Sequence, residues 1–158
     1  MRATGDAPVR YWAMAYELEG WSPRGPVVEL SEAHSWQHLA AAAFGRLAVS
    51  LNGRPEIFPI DFHVDNRTVV FRTANGTKLA ELIANPHVAL EADERTDDAA
   101  WSVVLTGTAS VLEDATEVAA ADLLPLPDWI PVADYVYVRI TCSSIRGRSF
   151  DRHVHAGR

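Results

Sequence analysis

The feature that most restricts this chain is a change of hydrophobic period near residue 46. Before it, Trp36, Leu39, Ala40, Ala43 and Phe44 recur at helical spacing, behind Ser31, a residue suited to cap a helix. Gly45 stands where such a helix would end. After it, Leu47, Val49 and Leu51 alternate, which places them on one face of a strand. Asn52-Gly53 follows at once. An Asn-Gly pair between alternating segments marks a two-residue hairpin, because both turn residues must take positive φ. A chain that does this folds back on itself as antiparallel strands.

The returning segment "RPEIFPIDFHV" carries Pro55 and Pro59, which cannot donate to a ladder, so it is expected to lie at an edge, to bulge, or to leave part of its backbone unpaired. Asp65-Asn66 makes the next turn and "TVVFRT" a third strand. A short helix with Leu79, Leu82 and Ile83 on its apolar stripe comes next, and must stop near Pro86. "HVALEAD" and "WSVVLTGTASVLED" read as two further strands, the second with a bulge or bend at Gly107. Asp114 and Glu117 have capping-box spacing for a helix from Ala115 to about Leu124. After the rigid "PLPDWIP" connection, "DYVYVRITC" is a sixth strand, followed by a basic, partly extended tail. The expected class is mainly β (α+β): an antiparallel sheet closed into a barrel, with short peripheral helices. The expected organisation is an N-terminal arm over 1–29, one domain over 30–150 and a C-terminal tail over 151–158.

Composition narrows the partners. The 158 residues suffice for one core, and a net charge of −7 argues against nucleic acid and acidic membranes. No apolar run approaches the ~18–20 residues needed to span a bilayer. The first residues lack the apolar core of a signal peptide, and Cys142 stands alone, so a cytoplasmic protein without an internal disulfide is expected.

The stretch "FRTANGTKL" gathers two cations, two hydroxyls and the free amides of a helix start around one turn. Arg72 and Lys78 supply charge, Thr73 and Thr77 supply donors, and Gly76 permits close backbone approach. Such a cluster can hold a phosphate; it can also be a solvated turn with Thr77 as a cap. Strand alternation puts Arg72 and Thr73 on opposite faces. Elsewhere, His34 and His38 lie one turn apart on the first helix, and His153 and His155 form an H-x-H near the end. Neither pair has a third ligand nearby in sequence, and no metal is assigned. Cys142 reads as a strand residue, and the tryptophans, Trp101 excepted, as core and interface anchors.

Taken in order, "GRLAV", "G.P", "FRT..GTKL", "WSVVLTGTASVL" and the late "GR" resemble the pyridoxamine 5′-phosphate oxidase-like superfamily of flavin-binding split barrels, over about residues 30–150. The resemblance implies a six-stranded split barrel and a homodimer with FMN in a groove between subunits. In some branches the deazaflavin F420 takes its place, and some related proteins bind haem through a histidine. It implies that Arg72, Thr73, Thr77 and Lys78 hold the phosphate and ribityl chain, flanked by Phe71 and Leu79. The strand Arg54, Pro55, Glu56, Ile57, Phe58, Pro59 and Ile60 would lie along the isoalloxazine, its backbone at Glu56–Ile60 meeting the ring's polar edge. Trp101 and Ser102 would reach the flavin from the second subunit. His63, with Asp61, is the titratable candidate beside that strand and the one candidate for a catalytic role. The implied activity is an oxidoreductase acting on a small redox substrate, with the flavin carrying the chemistry; the alternatives are an F420-dependent reductase and a non-catalytic flavin or haem binder. Near the end, "IRGRSF" retains only Arg146 and Arg148 where the vitamin B6 enzyme has its arginine and histidine signature, so oxidation of pyridoxamine 5′-phosphate is not the expected reaction.

Overall fold

The computed structural model describes residues 27–127 and 134–151. The arm before Val27, the middle of the proline-rich connection, and His153 and His155 in the tail lie outside the described residues. In chain order the elements are β1 (Val27–Leu30), α1 (Glu32–Ala42), β2 (Phe44–Leu51), β3 (Arg54–Asp61), β4 (His63–Asp65), β5 (Thr68–Ala74), α2 (Thr77–Ala84), β6 (His87–Arg95), β7 (Ala99–Val111), α3 (Ala115–Ala121) and β8 (Tyr135–Asp151).

The sheet has eight strands where six were expected. One arises because the segment after Asn52-Gly53 breaks at Phe62, whose N–H donates to the Ala43 carbonyl (3.0 Å) and whose side chain is buried. The other is β1, which pairs with the far end of β8, Val27 opposite Phe150 and Leu30 opposite Gly147. The ordered sheet therefore begins inside the segment read as an arm, and the "SSIRGRSF" stretch belongs to it.

The strands run in the order β3-β2-β6-β7-β8-β5-β4, with β1 on β8, and every pairing is antiparallel. β3 and β4 are the two ends of this path, yet Phe62 alone separates them in the chain. The sheet must curl until its ends meet, and β3 comes up to β5 across the remaining split. Inside the curl lie Leu47, Val69, Phe71, Leu90, Leu105 and Ile140, each fully buried, with Leu39 from α1 and Leu79 and Leu82 from α2. A smaller cluster, Val70, Leu112, Ala121 and Tyr137, forms outside the barrel under α3.

Local chemistry sets these elements. Ser31 Oγ accepts from the His34 N–H (3.2 Å) at the start of α1, and Asp114 Oδ1 accepts from Thr116 and Glu117 N–H (2.9 and 3.1 Å) at the start of α3. Glu117 does not reach back to complete a capping box; it pairs with Arg139 on β8. α1 ends on Ala43, at φ 53°, and Gly45 instead lies within β2 opposite Ile60. A Cβ there would fall on the Glu91 carbonyl oxygen, so this glycine serves the close approach of β2 and β6. Asn52 and Gly53 take φ 51° and 77°, as the hairpin requires. The β4–β5 turn is centred one residue later than expected, on Asn66 and Arg67, at φ 47° and 60°.

Candidate functional site

β5 carries Phe71 and Thr73 inward and Arg72 outward, as alternation dictates. On the outer face the Arg72 guanidinium donates to the carbonyls of Leu126 (3.1 Å) and Pro127, and lies 5.0 Å over the Tyr135 ring. It pins the chain after α3 against the barrel. The turn therefore does not bring its two cations together. Lys78 points the other way, across the split: its Nζ sits 5.1 Å from the centroid of the Phe58 ring on β3.

Lys78 is half-buried, and burial pushes its pKa below the ordinary lysine value. Among the described residues it has no carboxylate within ion-pair distance. It stands in the first turn of α2, whose N-cap, Gly76, is extended and offers no side-chain cap. The first amides of that helix are thus left for solvent or a ligand, beside a desolvated cation that lacks an anion. Thr77 is exposed at the same end, and Thr73 is buried just before it.

β3 forms the opposite wall. It is an edge strand in the sheet order, which suits Pro55 and Pro59. Arg54, Pro55, Glu56, Ile57 and Pro59 are exposed, and Phe58 is half-buried against the core. Ile60, Phe71 and Leu79 are core side chains, so they could offer a ligand only their backbone. The split thus brings together Phe58, Thr73, Thr77, Lys78 and the exposed run of β3.

Other candidates lie apart. His63, opposite Val70 on β5, is half-buried three positions before Thr73 along that strand. Trp101 and Ser102 sit on opposite faces of β7: Trp101 Nε1 donates to Glu94 (3.1 Å) and its ring meets His38 at 4.6 Å, while Ser102 pairs with Asp93 and Arg148. Pro86, just after α2, accepts from Ala109, at the far end of β7 from Trp101. The turn before Lys78 follows Ala74, opposite Tyr135 at the start of β8, and β7 reaches that end of β8 only at Val111, opposite Val138, so within one chain Lys78 lies toward the end of β7 remote from Trp101. His34 is held by Ser31 Oγ (3.0 Å). Among the described residues no three His, Cys, Asp or Glu side chains converge on a metal-sized centre. Cys142 is half-buried, and burial raises its thiol pKa.

One residue escapes the apolar reading of α2. Ile83 is 68% exposed, and Glu81 is buried in its place at 6%, its Oε2 without a hydrogen-bond partner among the described residues. The inward side of α2 carries buried Leu79, Glu81 and Leu82, with Lys78 and Asn85 half-buried beside them. That spacing is visible in the sequence, but a search for apolar residues passes over Lys78, Glu81 and Asn85.

Comparison with known proteins agrees with this geometry. Residues 31–149 match the pyridoxamine 5′-phosphate oxidase family. A Corynebacterium glutamicum protein, described as a candidate pyridoxamine 5′-phosphate oxidase, is 41% identical in its crystal structure, with TM-score 0.75 over 80% of this chain and 99% of the other. The FAD-binding protein of Mycobacterium smegmatis is 37% identical, with TM-score 0.67 over 78% of this chain and 97% of that one. An FAD-binding protein of Mesorhizobium loti is 26% identical, with TM-score 0.72 over 79% and 97%. A curled antiparallel sheet, split beside a strand–turn–helix with an unpaired lysine, and a family match over most of the length lead to one conclusion: the chain belongs to the pyridoxamine 5′-phosphate oxidase family.

Proposed function

We propose that this protein is a flavin-dependent oxidoreductase that binds FMN across the split, with its phosphate at Lys78 and the first turn of α2 and its ring along β3. The carrying observation is the Lys78 ammonium, half-buried and without an anionic partner among the described residues. A desolvated cation beside uncapped helix amides is stabilised by a phosphate. The exposed edge of β3 offers a flat wall with backbone groups for the ring. When bound, the flavin supplies the hydride chemistry; the chain's part is to hold it, exclude water with Phe58 and Ile57, and present His63 as the nearest titratable side chain past β3. The acceptor is a small redox substrate. The working unit is a homodimer, in which a second copy brings Trp101 and Ser102 to the ring.

FAD is the second reading, favoured by the names of the relatives from M. smegmatis and M. loti. Titration of cofactor-stripped protein with FMN, FAD and riboflavin separates the two. FMN and FAD share the first phosphate, so both should exceed riboflavin. Lys78→Ala should cost FMN one to two decades of affinity, since a charge-assisted contact contributes about 1.5–3 kcal/mol, and leave riboflavin nearly unchanged. Equal binding of FMN and riboflavin by the wild type would sink the phosphate assignment. Stopped-flow mixing of the reduced protein with quinone and nitroaromatic acceptors tests the enzymatic role. Reoxidation by oxygen alone, at the rate of free flavin, would leave a binding protein.

A further inference from the structure

We infer that Glu81 is a resident anion that competes with the cofactor phosphate for Lys78, so that the pocket holds its cofactor loosely. This rests on the phosphate-binding role of Lys78 proposed above. Glu81 is buried at 6% exposure, and among the described residues its Oε2 has no hydrogen-bond partner. A buried carboxylate oxygen left unpaired is destabilising, and a mobile cation nearby relieves it. Lys78, half-buried, stands three residues earlier on α2, a spacing at which side chains can meet. Its ammonium rests on the Phe58 ring and likewise lacks a partner of opposite charge.

The helix cannot turn to relieve the carboxylate. Asn85, at its C-terminal end, donates through Nδ2 to the Ser50 carbonyl (2.7 Å), and Leu79 and Leu82 are locked in the core. Arg72 is held on the outer face by the chain after α3, so it does not neutralise Glu81. Lys78, on its flexible stem, can swing between the Glu81 carboxylate and an incoming phosphate. When phosphate takes it, Lys78 is no longer available to the buried Glu81 carboxylate, so the phosphate contact forms at the expense of that pairing. By this competition Glu81 weakens FMN binding. Riboflavin, which has no phosphate, is not affected.

A double-mutant cycle on the full chain, stripped of cofactor and titrated with FMN and riboflavin by flavin fluorescence, tests this. Glu81→Gln keeps shape and hydrogen-bonding capacity and removes the charge. It should tighten FMN about tenfold, the order expected when Lys78 is released from one competing unit charge, and leave riboflavin unchanged. In the Lys78→Ala background the gain should shrink to a factor of about two or less. Glu81→Met, of similar length, should show the same FMN-selective gain, which guards against a folding defect peculiar to Gln. Weaker or unchanged FMN binding in Glu81→Gln, an equal change for both flavins, or a full gain without Lys78 would each overturn the proposal. If Lys78→Ala does not alter the preference for FMN over riboflavin, the phosphate site itself fails, a result separate from the absence of coupling to Glu81.

Discussion

Lys78 is the side chain whose chemistry is most exposed to test. Burial holds its pKa below the ordinary value, so the folded, empty protein binds this proton less tightly than the unfolded chain does. Stability follows proton uptake: where the unfolded state holds more protons, raising the pH stabilises the fold. The Lys78 contribution should therefore make empty protein more stable as pH rises through the window below the ordinary lysine value of about 10.4, and Lys78→Ala should flatten that slope in melts across the window. FMN affinity should move the opposite way, falling as the ammonium is lost, while riboflavin affinity stays level. Arg72→Ala gives a contrast. Its guanidinium ties down the Leu126 and Pro127 carbonyls, so the substitution should lower the melting temperature yet disturb the FMN-to-riboflavin ratio less than Lys78→Ala.

At the level of elements, the sheet depends on places where regular pairing gives way. The register of β7 and β8 shifts between Thr106 and Gly107, leaving Ser143 as the extra residue between Cys142 and Ser144. The irregularity expected at Gly107 falls there, with the extra residue on the partner strand β8, and the glycine is required because a Cβ would fall on the Thr141 carbonyl oxygen and press on Ile140. Gly107→Ala should destabilise the fold by about 1–3 kcal/mol, the range of overpacking in a core, read as a lower urea midpoint without a change of slope. α3 is fixed from outside the barrel: the Tyr137 hydroxyl donates to Asp122 (2.7 Å) and Arg139 pairs with Glu117. Burial first, then the bond to Asp122, raises the Tyr137 pKa well above the ordinary tyrosine value, so this hydroxyl stays a donor at any working pH.

For the whole molecule, the question is what covers the outer face of β3 and β2. Ile57 is 67% and Phe44 50% exposed there, next to Pro55, Pro59 and the ion pairs of Arg46 with Glu91 and Asp93 (2.8 and 2.7 Å). We propose that a second copy covers this face and buries these apolar side chains, with Trp101 and Ser102 of the partner subunit completing the site. Light scattering at micromolar concentration should give about twice the 17.3 kDa chain mass. Ile57→Glu should shift it toward the monomer and weaken flavin binding in parallel. A monomer with undiminished flavin affinity would remove Trp101 and Ser102 from the site.

The sequence by itself determined what depends on neighbours along the chain. Alternation at Leu47, Val49 and Leu51, the Asn52-Gly53 turn, the prolines of an edge strand and the Ser31 and Asp114 caps are all local choices of backbone and side chain, and each is where the sequence places it. Gly45 shows the limit: its position suggests a helix end, while its reason is a carbonyl on β6, far along the chain. The candidate site divides the same way. The strand–turn–helix with Lys78 at its start is legible from residue order. That Arg72 turns away to hold the segment after α3, that Phe58 comes beneath Lys78, and that Glu81 is buried while Ile83 is exposed are decided by which strands close the curl. Those outcomes depend on groups separated by long stretches of chain, and only the folded sheet brings them within reach of one another.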